Sequence, residues 1–135
     1  MRIFLFLFLV TSLGFSQDTP IPEYLSSSLA PGQTFTLENK SLRFKRVLSD
    51  SRCPKGATCI RAGEAKILVE IFQNGKLPEE RIIILGGYQN LPSDILGENI
   101  FNISALRLSP YPDISGKIPA SEYSLYIEVS VPEEI

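Results

Sequence analysis

The chain contains no histidine. That excludes the Ser-His and Cys-His pairs that activate most enzymatic nucleophiles. A serine–lysine dyad stays chemically open, but no S-x-x-K motif occurs. Cysteine is nearly absent, with two in 135 residues. A structural zinc site normally needs four Cys or His ligands, so this chain falls two short. There is no basic excess: 13 Lys and Arg stand against 15 Asp and Glu. Nothing therefore resembles the cationic face that nucleic-acid binding requires. After the first 16 residues, no apolar run approaches the roughly 20 residues needed to cross a bilayer.

What is present begins with "MRIFLFLFLVTSLGFSQDTP". Arg2 is a positive start, Ile3 to Phe15 is mostly apolar, and Gly14 and Ser16 are small residues at the −3 and −1 positions of a cut after Ser16. That pattern predicts a secretory signal peptide over 1–16, and no cysteine stands at the cut to carry a lipid. The alternative is an N-terminal anchor that stays attached. Cleavage leaves 119 residues from Gln17, with 12 basic and 15 acidic side chains. The length fits one domain, secreted or periplasmic, with no membrane span.

In an exported chain two cysteines point to a disulfide. Cys53 and Cys59 would close a small ring that holds Pro54 and Gly56, both turn formers. Such a ring restricts the unfolded chain by about 2 kcal/mol. Metal ligation and redox chemistry are the alternatives; the redox motif is C-x-x-C, and the spacing here differs.

Along the chain, 17–32 reads as a polar N-terminal arm on which Leu25 and Leu29 can dock a short turn. A single domain then runs over 33–135. "QTFTLE" places Phe35 and Leu37 on one face. "SLRFKRVLS" does the same with Leu42 and Phe44, then changes phase at Arg46-Val47, which hints at a bulge. In "EAKILVEIF", Ala65, Ile67, Val69 and Ile71 face one way. Asn74-Gly75 is a strong hairpin signal and "ERIIILG" is its partner. The stretch 86–99 is a long connection. "IFNISALRLSPYP" is a further strand with a possible phase shift. "SEYSLYIEVSV" alternates strictly from Tyr123 to Val131. The class is all-β: an antiparallel β-sandwich, immunoglobulin-like or jelly-roll-like, of about six to eight strands. Ile67, Val69, Ile71, Ile83, Leu85, Leu125, Ile127 and Val129 should share one core.

The run "DSRCPKGATCIRAGEAKI" resembles a group of exported bacterial proteins and lipoproteins with the pattern D-S-R-C-P, about four residues, then C-x-W-A-G. "SPYPDISGKIPASEYSLYIEVSV" is similar to that group's ending. Together the two segments cover about a third of the chain. The matching residues are Asp50, Ser51, Arg52, Cys53, Pro54, Cys59, Ala62 and Gly63. Arg61 stands where the group usually has Trp, so an aromatic platform there is lost. The resemblance implies export, a disulfide and a β-rich domain, and it implies no activity.

No catalytic residue, metal ligand set or cofactor is assigned. A small carboxylate hydrolase would draw its pair from Asp50, Glu64, Asp94, Glu98 and Asp113. A calcium-stabilised accessory domain would use Asp94, Glu98 and Asn99. Arg43, Lys45 and Arg46 read as a solvated strand face, and the triplet Asn102-Ile103-Ser104 reads as strand. The favoured expectation is a non-catalytic module that binds a protein or glycan through end loops. Its candidate contacts are Asp50, Arg52, Lys55 and Arg61. Arg52 carries two readings, an internal tie to a carboxylate or a ligand contact. Flat loops exposing Lys55 and Tyr88 would favour the binder.

Overall fold

The computed structural model describes Gly14 and residues 23–37, 40–74, 76–86 and 102–131. Among these, seven strands form two antiparallel sheets. They are β1 (Tyr24–Leu29), β2 (Thr34–Leu37), β3 (Lys40–Asp50), β4 (Glu64–Gln73), β5 (Glu79–Gly86), β6 (Asn102–Ser109) and β7 (Ser124–Ser130). One sheet has the order β1-β7-β6 and the other β2-β3-β4-β5. A 3₁₀ turn, Ala120–Glu122, precedes β7. The sandwich is as the alternation predicts. The larger sheet is a simple meander, without the crossed strand order of immunoglobulin domains. Among the described residues no helix is long and apolar enough to cross a membrane.

Period-two alternation explains most of the packing, because successive side chains of a strand point to opposite faces. In β2, Phe35 and Leu37 are buried between exposed threonines. In β7, Leu125, Ile127 and Val129 are fully buried. All eight residues expected in the core lie in one buried cluster, joined by Leu42, Phe44 and Leu108. Burying an aliphatic side chain of this size contributes about 1.5–3 kcal/mol relative to exposure. The phase change in β3 is real: its register against β4 slips between Phe44 and Arg46 and again between Val47 and Ser49. As a result Val47, three positions after Phe44, also packs on the core. β6 slips once, between Ile103 and Ala105, so Ile103, Leu106 and Leu108 all reach the interior.

β4 and β5 form the expected hairpin, with Lys76 N–H donating to the Gln73 carbonyl at its turn (3.1 Å). The N-terminal arm needs correction. Residues 24–29 form β1, an edge strand paired to β7 along its whole length, from Tyr24 opposite Ser130 to Leu29 opposite Leu125. Three consecutive serines hide the alternation there, and serine has little strand preference. The pairing partner supplies what the local sequence lacks. The signal segment (apart from Gly14), Tyr88, Asp94, Glu98 and Asn99 lie outside the described residues.

Candidate functional site at the stapled end

The loop 51–63 joins β3 to β4 at one end of the sandwich. The strand ladder runs on into it: Ser51 N–H donates to Glu64 O (2.8 Å) and Cys53 N–H to Ala62 O (2.9 Å). This close approach requires Gly63. Its φ is +69°, and a Cβ there would stand 1.8 Å from the Ser51 carbonyl oxygen. Farther out, Cys53 and Cys59 form the disulfide. Ala57 N–H donates to Pro54 O inside the ring, and Gly56 takes φ +86°.

A second loop, 110–123, is fastened to the first. Lys55 N–H donates to Pro112 O (3.0 Å), and Tyr111 OH donates to Cys53 O (2.7 Å). Ser109–Pro110 is a cis peptide. Arg52 ties the two loops together. Its Nε and Nη2 form a fork on the Asp50 carboxylate, both at 2.8 Å. Its Nη1 reaches Leu108 O at 2.7 Å and its Nη2 reaches Pro110 O at 3.0 Å. The Tyr111 ring lies below the guanidinium, 5.1 Å from centroid to Cζ. Asp50 also accepts from the Arg52 backbone N–H (3.3 Å), as a carboxylate at a turn start does, and from Tyr123 OH (2.9 Å). The Arg52 and Asp50 side chains are only 10% and 9% exposed. Of the two readings of Arg52, this geometry is the internal tie. The guanidinium is spent on the fold.

The electrostatics follow. The Arg52 fork, helped by Tyr123 OH, holds the Asp50 carboxyl below its ordinary range against the opposing effect of burial. Burial first, and then the hydrogen bond to Asp50 and its charge, push the Tyr123 phenol up. A depressed carboxyl contributes stability above its unfolded pKa, near 3.9, and loses it as pH falls through the lower folded value. Acid unfolding should therefore lose a component that begins near pH 4 and continues downward. Asp50→Asn should flatten that limb in urea titrations at stepped pH. An unchanged slope would mean that the pair does not couple to folding.

These contacts also bear on catalysis. A glycosidase needs one carboxyl raised to act as an acid. Among the described residues the displaced carboxyls are Asp50, Glu80, Asp113 and Glu128, and all four move down. Asp113 is held by the backbone N–H and hydroxyl of Ser115, and Glu64 stands beside Lys66 at 3.7 Å. Among the described residues no group of three or more His, Cys, Asp or Glu can hold a metal ion.

A cleft of about 400 Å³ opens between the two loops, with Pro54, Pro112 and Ile118 on its walls and Asp113 and Lys117 among its lining residues. Asp50, Arg52 and Tyr123 also line it, but their polar atoms are engaged with each other. No protein-family model, curated protein or solved structure matches this chain.

The side chains of this end divide sharply. Asp50 and Arg52 face inward, whereas Lys55 and Arg61 are exposed. With them stand apolar groups that the sequence reading did not single out: Ile60 at 103% exposure, Ile114 at 73% and Tyr111 at 45%. Ile114 lies over Gly56, about 3.7 Å from where a Cβ would sit, so the two loops meet at the tip. Tyr111, Ile114 and Tyr123 lie 58–73 residues in sequence from the groups they meet, and no local spacing pattern signals those contacts. Only the Pro-Tyr-Pro turn marked that segment as unusual.

Proposed function

We propose that this chain is an exported, non-catalytic β-sandwich module that grips a protein partner with its stapled end. A disulfide fits an oxidising compartment outside the cytoplasm, and the first 16 residues read as the export signal. One observation carries the binding reading: Ile60 is fully exposed beside a disulfide, on a loop fastened by four hydrogen bonds to the second loop and the end of β6. A lone exposed isoleucine is ordinary. One presented on a stapled loop, which also exposes the cations Lys55 and Arg61 and whose base meets Ile114 and Tyr111 of the second loop, has the anatomy of an interface anchor with a polar rim. Its ordering entropy is already spent in the free protein, which favours affinity.

The test is a benzophenone photo-crosslinker placed at position 60, with position 82 on β5 as control, in the cells that export the protein. A discrete protein adduct from position 60 alone is expected. Opening the ring with Cys53→Ser and Cys59→Ser should remove it and should lower stability by about 2 kcal/mol. Equal adducts from positions 60 and 82, or none from 60, would overturn the reading.

A further inference from the structure

We propose that the outer face of the β1-β7-β6 sheet is a second binding surface, for an uncharged polysaccharide chain laid across it. The two outer faces of the sandwich differ in chemistry. That of the larger sheet is laced with charge: Lys45 stands between Glu70 (3.2 Å) and Glu80 (2.6 Å), and Arg43 covers Phe72. The smaller sheet turns out hydroxyls and planar groups. Leu29 is buried at the end of β1, so Tyr24, Ser26 and Ser28 point outward, and all three are exposed. Register places Ser28 opposite Tyr126, Ser26 opposite Glu128 and Arg107 opposite Tyr126.

Tyr126 is held as a fixed plate. Its hydroxyl donates to Glu128 Oε2 at 2.8 Å, and the Arg107 guanidinium lies 5.2 Å from its ring centroid. The irregularity between Ile103 and Ala105 has a consequence here. A bulge sets two residues against one on the partner strand and re-aims a side chain, and Ser104 is thereby brought onto Glu128 Oε1 at 3.0 Å. Both oxygens of that carboxylate are thus braced, and its pKa is lowered by Tyr126 and Ser104. On the β1 side the flanking residues are only serines, whose hydroxyls have no partner among the described residues.

Small donors and acceptors beside a braced aromatic plane suit a sugar: its C–H face packs on the ring and its hydroxyls pair with Ser and Glu. The charge on the face indicates which kind. Its outward positions on the three strands carry one anion, Glu128, and one cation, Arg107, so neither an acidic nor a basic polymer is favoured over a neutral one. An open sheet face also fits an extended chain better than an enclosed small molecule.

The experiment is native affinity electrophoresis of the mature protein in gels holding hydroxyethyl cellulose, laminarin, galactomannan or soluble starch, with polygalacturonate as the charged comparison. At least one neutral polymer should retard the protein. Tyr126→Ala and Ser28→Glu should each weaken that retardation at least tenfold. Ser28→Glu lies at an exposed edge position and should leave Tm unchanged, so loss of binding there cannot be assigned to unfolding. Ile60→Ser should retain full retardation, which separates this surface from the protein-binding end. Retardation by no neutral polymer, by polygalacturonate alone, or equally in wild type and both face variants, would overturn the proposal.

Discussion

Arg52→Ala is expected to cost about 3–5 kcal/mol of folding stability, the range for removing one partner of a buried, hydrogen-bonded ion pair. The side chain is 10% exposed and makes four hydrogen bonds from three nitrogens. Its loss strands the Asp50 carboxylate and leaves the Leu108 and Pro110 carbonyls without their guanidinium donor. For a domain of this size the corresponding fall in Tm is on the order of 15 °C. Arg52→Lys should recover little, because an ammonium is a point charge that cannot fork across a carboxylate while reaching two carbonyls. Pairing Arg52→Met with Asp50→Asn should cost less than the sum of the two single changes, since each removes the charge that the other leaves unpaired. Urea unfolding of the four proteins measures this. A loss below about 1 kcal/mol for Arg52→Ala would place the pair with surface salt bridges instead.

Gly63→Ala is expected to be as damaging, for a different reason. A left-handed φ alone costs a non-glycine residue roughly 1–2 kcal/mol. At Gly63 the added methyl would also meet the Ser51 carbonyl at 1.8 Å, and that oxygen belongs to backbone. The β3–β4 ladder must part, weakening the bond from Ser51 N–H to Glu64 O and the entry of β4 into the core. A total loss of about 3 kcal/mol or more follows. Gly56→Ala is the internal comparison. Its φ of +86° carries the same backbone cost, but its nearest neighbour is the flexible end of Ile114 at 3.7 Å. It should lose only about 1–2 kcal/mol. Equal losses at the two glycines would show that φ, not the close approach, dominates.

The two tests separate the fastening from the surface it presents. Arg52, Asp50, Gly63 and the disulfide build the stapled end, so their variants should act first through stability. Ile60 has almost no contact to lose, so Ile60→Ser should leave Tm nearly unchanged. The D-S-R-C-P residues thus read as scaffold, and the proposed anchors are their exposed neighbours.

The sequence by itself determined the alternation of β2, β4 and β7, and with it the eight core residues, because a half-buried strand must repeat every two residues. It also showed the phase change at Arg46-Val47, because that is a local feature of the chain. Tertiary structure alone decided the rest. β1 exists because β7 offers a complete edge to a serine-rich segment that has no strong preference of its own. Arg52 lost its ambiguity only when Leu108, Pro110 and Tyr111, more than 50 residues away, were folded around it. The same holds for Tyr123 on Asp50 and for Ile114 at the tip. Contacts at such separation have no period and no spacing in one sequence; they arise when two sheets pack face to face and bring their end loops together.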